Sequence, residues 1–174
     1  MYFNPSQISI AGGAFAQAEK MLAKYYRLRE ADLRNLRYDV KTRAFLEEHE
    51  ISDNAFAHLC RYHYQGERET TNNGGFYFYK VCLQDDRILD AVNRASSFIK
   101  LPFLLLYIAT HELIHVIRFN FGEGSFDVTT EEKEQEEQRV HMITRHMLSQ
   151  IMQPDLKIVL DCFNDRHTIG NLYN

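Results

Sequence analysis

The segment from Leu101 to Ile117, LPFLLLYIATHELIHVI, constrains this chain more than any other. It is apolar on nearly every side, yet it carries His111, Glu112 and His115 in its middle. Pro102 suits the first turn of a helix, and the spacing predicts a helix from Leu101 to about Phe119. A helix that is apolar all round is buried. Its uninterrupted apolar run, Leu101–Ala109, is about half the ~20 residues a membrane span needs, so the expectation is a core helix and no membrane partner. Two imidazoles and a carboxyl in such a helix require partners, because unpaired buried polar groups are costly.

The order of these residues offers one. His111 and His115 are four apart, hence on one helix face, and both can reach a single metal ion. Glu112 lies about 100° round the helix. It can stand beside the ion without binding it and act as base toward water. With 8 His and 14 Glu in 174 residues, random placement gives roughly 0.03 occurrences of this pattern. Chance is therefore a poor explanation.

Such a site needs a third protein ligand. None follows at the H-E-x-x-H-x-x-G-x-x-H position, where Phe121, Gly122 and Glu123 stand instead. Thr129 with Glu132 forms a capping box for a further helix from Thr130 to about Met152, which Pro154 stops. Its first turns hold Glu131, Glu132, Glu134, Glu136 and Glu137. The inward stripe further along is Val140, Ile143, Thr144, Met147, Leu148 and Ile151. Glu137 continues that stripe and is the first choice as ligand; Glu136 is the second. Glu131, Glu132 and Glu134 suit solvent and the positive helix N-terminus. His141, one turn past Glu137, is a candidate to orient a ligand from behind or to stabilise an oxyanion, or it is a satisfied histidine at the core edge. His49, His58, His63, His146 and His167 show no ligand spacing.

The remainder reads as scaffold. Phe15, Ala18, Leu22, Tyr25 and Leu28 recur at helical spacing, as do Leu33, Leu36, Val40 and Ala44. Ser52 is a possible N-cap for a short helix with Phe56, Leu59 and Tyr62. The first 65 or so residues are thus expected to be helical. Thr71–Gly75 is a turn signal, and Phe76–Leu83 reads as a strand. Either Tyr77 or Tyr79 could offer a hydroxyl to the site. Ile88–Ser97 and Leu156–Phe163 look like short helices. The expected fold class is α+β: one mostly helical domain over 1–174, with a small sheet and a helix pair that binds metal over about 70–174.

The net charge of −4 gives no basic excess for nucleic acid. Cys60, Cys82 and Cys162 are odd in number and without C-x-x-C spacing, which suits free thiols in a reducing compartment. Met1–Pro5 has no signal-peptide pattern. A cytoplasmic location is the default expectation.

His111-Glu112-Leu113-Ile114-His115, with a glutamate on the next long helix, resembles the gluzincin branch of the zincin metallopeptidases. The small intracellular members, the minigluzincins and ImmA/IrrE-like peptidases, come closest. The residues after Glu137 are also similar to theirs: small or apolar at the same offsets, with a polar residue one turn on. That residue is usually Asn or Asp, and here it is His141. The resemblance covers about 76–150. It implies one Zn²⁺ per chain on His111, His115 and Glu137, Glu112 as catalytic base, and a peptide or protein substrate. It further implies that the strand Phe76–Leu83 is a sheet edge that holds an extended peptide by strand addition. Two rival readings remain. One is a catalytically silent zincin-like domain that binds metal and regulates or binds a partner through its N-terminal helices. The other is a helical interaction protein without metal. Intact Glu112 favours the peptidase, since a pure metal holder needs no base.

Overall fold

The computed structural model describes residues 1–64 and 75–163. The expected turn at 71–74, His167 and the polar tail lie outside them. The fold is α+β and mostly helical, built around one helix.

The chain starts with α1 (Pro5–Tyr25), capped by Asn4, whose side chain accepts from the Gln7 N–H while Gln7 caps Asn4 in return. Its buried face is Ala11, Ala14, Phe15, Ala18 and Leu22; the small residues let it lie close against the helix it covers. The short α2 (Glu30–Asn35) follows. The expected helix through Val40 and Ala44 is not there. Leu36 turns extended, and Tyr38–Lys41 is a strand, β1, with Val40 opposite Val81. Two single 3₁₀ turns, Arg43–Phe45 and Glu48–Glu50, lead on.

The short helix expected after Ser52 is likewise replaced by a strand, β2 (Ala57–Tyr64). It pairs along its whole length, antiparallel, with β3 (Phe76–Leu83). The helical spacing of Phe56, Leu59 and Tyr62 was a coincidence of a segment that also alternates. His58, Cys60 and Tyr62 face one side of the sheet, while Leu59 and Arg61 face the other. Pairing partners decided between the two patterns, as they often do for β-forming segments.

Strand order is β1-β3-β2. β3 is therefore the centre of the sheet, not its edge as the resemblance implied; β2 is an edge. Because residues 1–65 supply two of three strands, they are not a separate helical part, and the core runs continuously from Phe3 to Phe163.

After β3 come α3 (Asp85–Arg94), α4 (Leu101–Asn120), α5 (Thr130–Ser149) and α6 (Pro154–Cys162). The expected bounds of α4 and the Thr129/Glu132 box of α5 hold. Every residue of α4 from Leu104 to Arg118 is buried. α1, α3, α5, α6 and β2 all pack on it. Among the described residues α4 alone is long and apolar enough to cross a membrane, and 83% of its most apolar window is buried inside the protein.

Candidate metal centre

The centre is built on α4. His111, Glu112 and His115 are only 4%, 7% and 5% exposed. The rings sit in an aromatic ladder at i, i+4 spacing. Tyr107 stacks on His111 with centroids 6.2 Å apart, and Phe119 stacks on His115 at 5.6 Å. The two imidazole centroids are 5.0 Å apart. Tyr107 and Phe119 thus fix the ring planes from either end. Sequence reasoning passed over them, though their spacing from the two histidines was the available signal.

α5 brings the third group. Val140, Thr144, Met147 and Leu148 are its buried face, and Glu137 continues that face toward α4. The Glu137 carboxylate spans both histidines. Its Oε2 lies 3.2 Å from His111 Nε2, and its Oε1 lies 3.1 Å from His115 Nε2. Ligands at 2.0–2.1 Å around a tetrahedral zinc ion are about 3.3 Å apart. Two Nε2 atoms and a carboxylate at these spacings therefore fit a divalent cation, and these residues could hold one. The Nδ1 atoms of both histidines are buried with no hydrogen-bond partner among the described residues. Each ring is thus committed to the centre through Nε2 alone.

Glu136 has a different task. Its carboxylate takes both Nε and Nη2 of Arg118, at 2.7 and 3.0 Å. Arg118 is almost fully buried, and its Nη1 also reaches Glu123 at 2.9 Å. Gly124 lies tight against this pair: a Cβ there would stand 2.9 Å from Glu136 Oε1. Gly122, with φ of +71°, lets the loop turn after α4. The Arg118 clamp thereby fixes where α5 starts, and so where Glu137 points. Nothing in the sequence distinguished this clamp from surface charge.

Electrostatics separate the two carboxyls at the centre. Burial pushes Glu112 up to about 7, assisted by the Glu137 charge and opposed by His111. Burial acts on Glu137 in the same direction. The hydrogen bonds of both histidine rings outweigh it and hold Glu137 far below the usual range. One group is thus a ready proton acceptor and the other a fixed anion.

A cleft of about 580 Å³ opens over the centre. Its floor is His111, Glu112, His115 and Glu137; its walls include Leu59 and His58 from the start of β2, Phe126 and Val128 from the loop before α5, and Lys133. His141 is not among its lining residues. Its Nδ1 meets the Tyr107 hydroxyl at 2.8 Å, behind His111, so it braces the ladder and does not face the cleft. Tyr77 and Tyr79 do not line it either. Tyr79 packs on Phe119 and Phe126, and Tyr77 lies under Arg61.

A second cluster, Glu50, Cys60 and Cys82, also has donor atoms within 4.8 Å of one another. There the cation is already supplied: Lys80 Nζ lies 2.5 Å from Glu50 Oε1, and the Tyr62 hydroxyl donates to the same oxygen. All three cysteines are free thiols.

Comparison of the chain with protein-family models, curated proteins and solved structures returns no match.

Proposed function

We propose that the protein is a zinc-dependent peptidase of gluzincin type, with His111, His115 and Glu137 as ligands and Glu112 as general base. The observation that carries this reading is the pairing of a donor triad at zinc-ligand spacing with a neighbouring carboxyl that burial makes basic near neutrality. The His₂Glu set favours zinc among divalent metals. A bound zinc ion would supply Lewis acidity toward the scissile carbonyl and make water acidic enough to deprotonate near neutral pH.

The remaining steps belong to the chain. Glu112 lines the cleft and takes the proton from the attacking water. It then hands that proton to the leaving amine. Burial raises the affinity of Glu112 for a proton, which suits a carboxyl that must first accept one and then return it. The Tyr107–Phe119 ladder keeps the imidazoles from rotating. The outer edge of β2, unpaired among the described residues, borders the cleft at Ala57 and Leu59, so the extended substrate would add to β2, not β3. A silent metal-binding domain would have no use for Glu112 beside the ligands. Free thiols suit action in a reducing compartment such as the cytoplasm.

The test combines metal analysis with cleavage of an unstructured protein substrate such as casein. Purified protein is expected to hold near one zinc per chain, and His111→Ala with His115→Ala to hold none. Glu112→Gln is expected to keep zinc and lose at least ~10²-fold in cleavage rate. Stoichiometric zinc in the double histidine variant, or full activity in Glu112→Gln, would overturn the reading.

A further inference from the structure

We infer that the cleft selects peptides bearing a carboxylate within two or three residues of the bond cut, and that Lys133 is the residue that selects them. The inference rests on the peptidase reading and adds to it the class of substrate.

Lys133 lies on α5 four residues before Glu137, and both line the cleft. They are about 6 Å apart along the helix axis, on one face. The other charged residues there have roles or partners, Glu112 being the buried base of the proposed mechanism. Glu137 is bound to the two histidines, and Glu136 is held by Arg118. His58 is half-buried, and burial lowers its pKa against a smaller opposite pull from Glu50, which disfavours its cationic form. Lys133 is therefore the cation among the described residues that line the cleft, and its side-chain amine forms no hydrogen bond or ion pair among the described residues. Phe119, Phe126, Val128 and Leu59 make the neighbouring wall apolar. An extended peptide advances about 3.3 Å per residue. A lysine amine one helical turn from the metal ligand thus reaches a side chain or chain end two or three residues from the scissile carbonyl. The lining asks for an apolar side chain near the bond and an anion slightly beyond it.

The carboxylate has two sources, an acidic side chain or the peptide's own C-terminus. A panel of dye-labelled octapeptides separates them: an alanine frame with one Phe, Glu, Gln or Lys at flanking positions, and each peptide as free acid and as amide. Binding is read by fluorescence anisotropy on the zinc-loaded Glu112→Gln protein, and cleavage on the wild type. Anionic peptides are expected to bind about three- to tenfold more tightly than neutral ones, the range for one partly exposed charged contact. If Glu peptides win whatever their terminus, the side chain is recognised; if free acids win whatever their sequence, the chain end is. Lys133→Met should bring the ratio to about one, and Lys133→Glu should turn it toward Lys peptides. The selectivity should also fade with added salt. A wild type that cuts peptides without regard to charge would overturn the inference and leave the peptidase intact, as would a preference that survives in Lys133→Met. A charge preference that depends on Lys133 without any cleavage would support the inference and count against the peptidase.

Discussion

Individual side chains in this protein are set by what burial does to their charge. Glu112 and Glu50 are both buried carboxyls, yet they are pushed in opposite directions. Glu112 lacks a donor strong enough to offset desolvation and rises. At Glu50 burial also raises the pKa, but hydrogen bonds from Lys80, Tyr62 and the Glu47 N–H overcome it and hold the group at about 2 against an ordinary 4.5. The sign of the stability effect follows. A carboxyl whose pKa falls on folding contributes stability that is fully present above 4.5 and is lost as pH drops toward about 2. Thermal melts between pH 5 and pH 2 should therefore show the wild type losing stability more steeply than a Glu50→Gln, Lys80→Met variant. Parallel slopes in the two proteins would show that Glu50 does not drive acid unfolding.

Elements carry the division of labour between Glu136 and Glu137. Neighbours on a helix point about 100° apart, so one anion joins the two histidines and the next joins the Arg118 clamp. Without metal, Glu136→Ala should lower stability by about 3 kcal/mol, the low end for a broken buried pair because Glu123 still faces Arg118. Glu137→Ala should cost less in the apo protein, since its side chain is 48% exposed against 13% for Glu136, although it leaves two buried imidazoles without their Nε2 partner, and it should lose zinc binding. Urea melts of the apo proteins with parallel zinc titrations check both; the reverse ranking would mean the clamp does not position α5. The phase of α5 was legible because Val140, Thr144 and Leu148 form an unbroken 3.6-residue stripe. So were α4 and its motif, where apolar flanks and polar interruption coincide. β1 and β2 were not. Val40 and Leu59 are strand residues only because β3 lies between them, and pairing across the chain leaves no local mark. The Arg118 clamp was hidden for the same reason. Its partners are 5 and 18 residues away, and only the fold shows that an arginine on α4 points at α5.

At the scale of the whole molecule, the candidate metal centre depends on packing behind it. Leu113, Val116 and Ile117 share α4 with the two histidines and face away from the cleft. They meet Leu22 of α1, Leu33 and Leu36 around α2, and Tyr38 of β1. The N-terminal elements are thus the back wall of the helix that holds the site. Leu22 is 1% exposed, and Leu22→Ala should cost about 2–5 kcal/mol through lost burial and the cavity left behind. On the proposed reading, zinc would act on the same folding equilibrium from the other side of α4. An ion that binds only the folded state adds about 4 kcal/mol when present at a thousand times its Kd. Zinc should therefore raise the Tm of wild type and Leu22→Ala together, and restore most of what the cavity removed. In Glu137→Ala the same addition should leave the Tm nearly where it was. Calorimetric scans of the three proteins, with and without zinc, measure this directly. A Leu22→Ala protein that zinc fails to stabilise would mean the cavity distorts α4 enough to spoil the ligand spacing. In that case the back wall shapes the metal centre as well as supporting it.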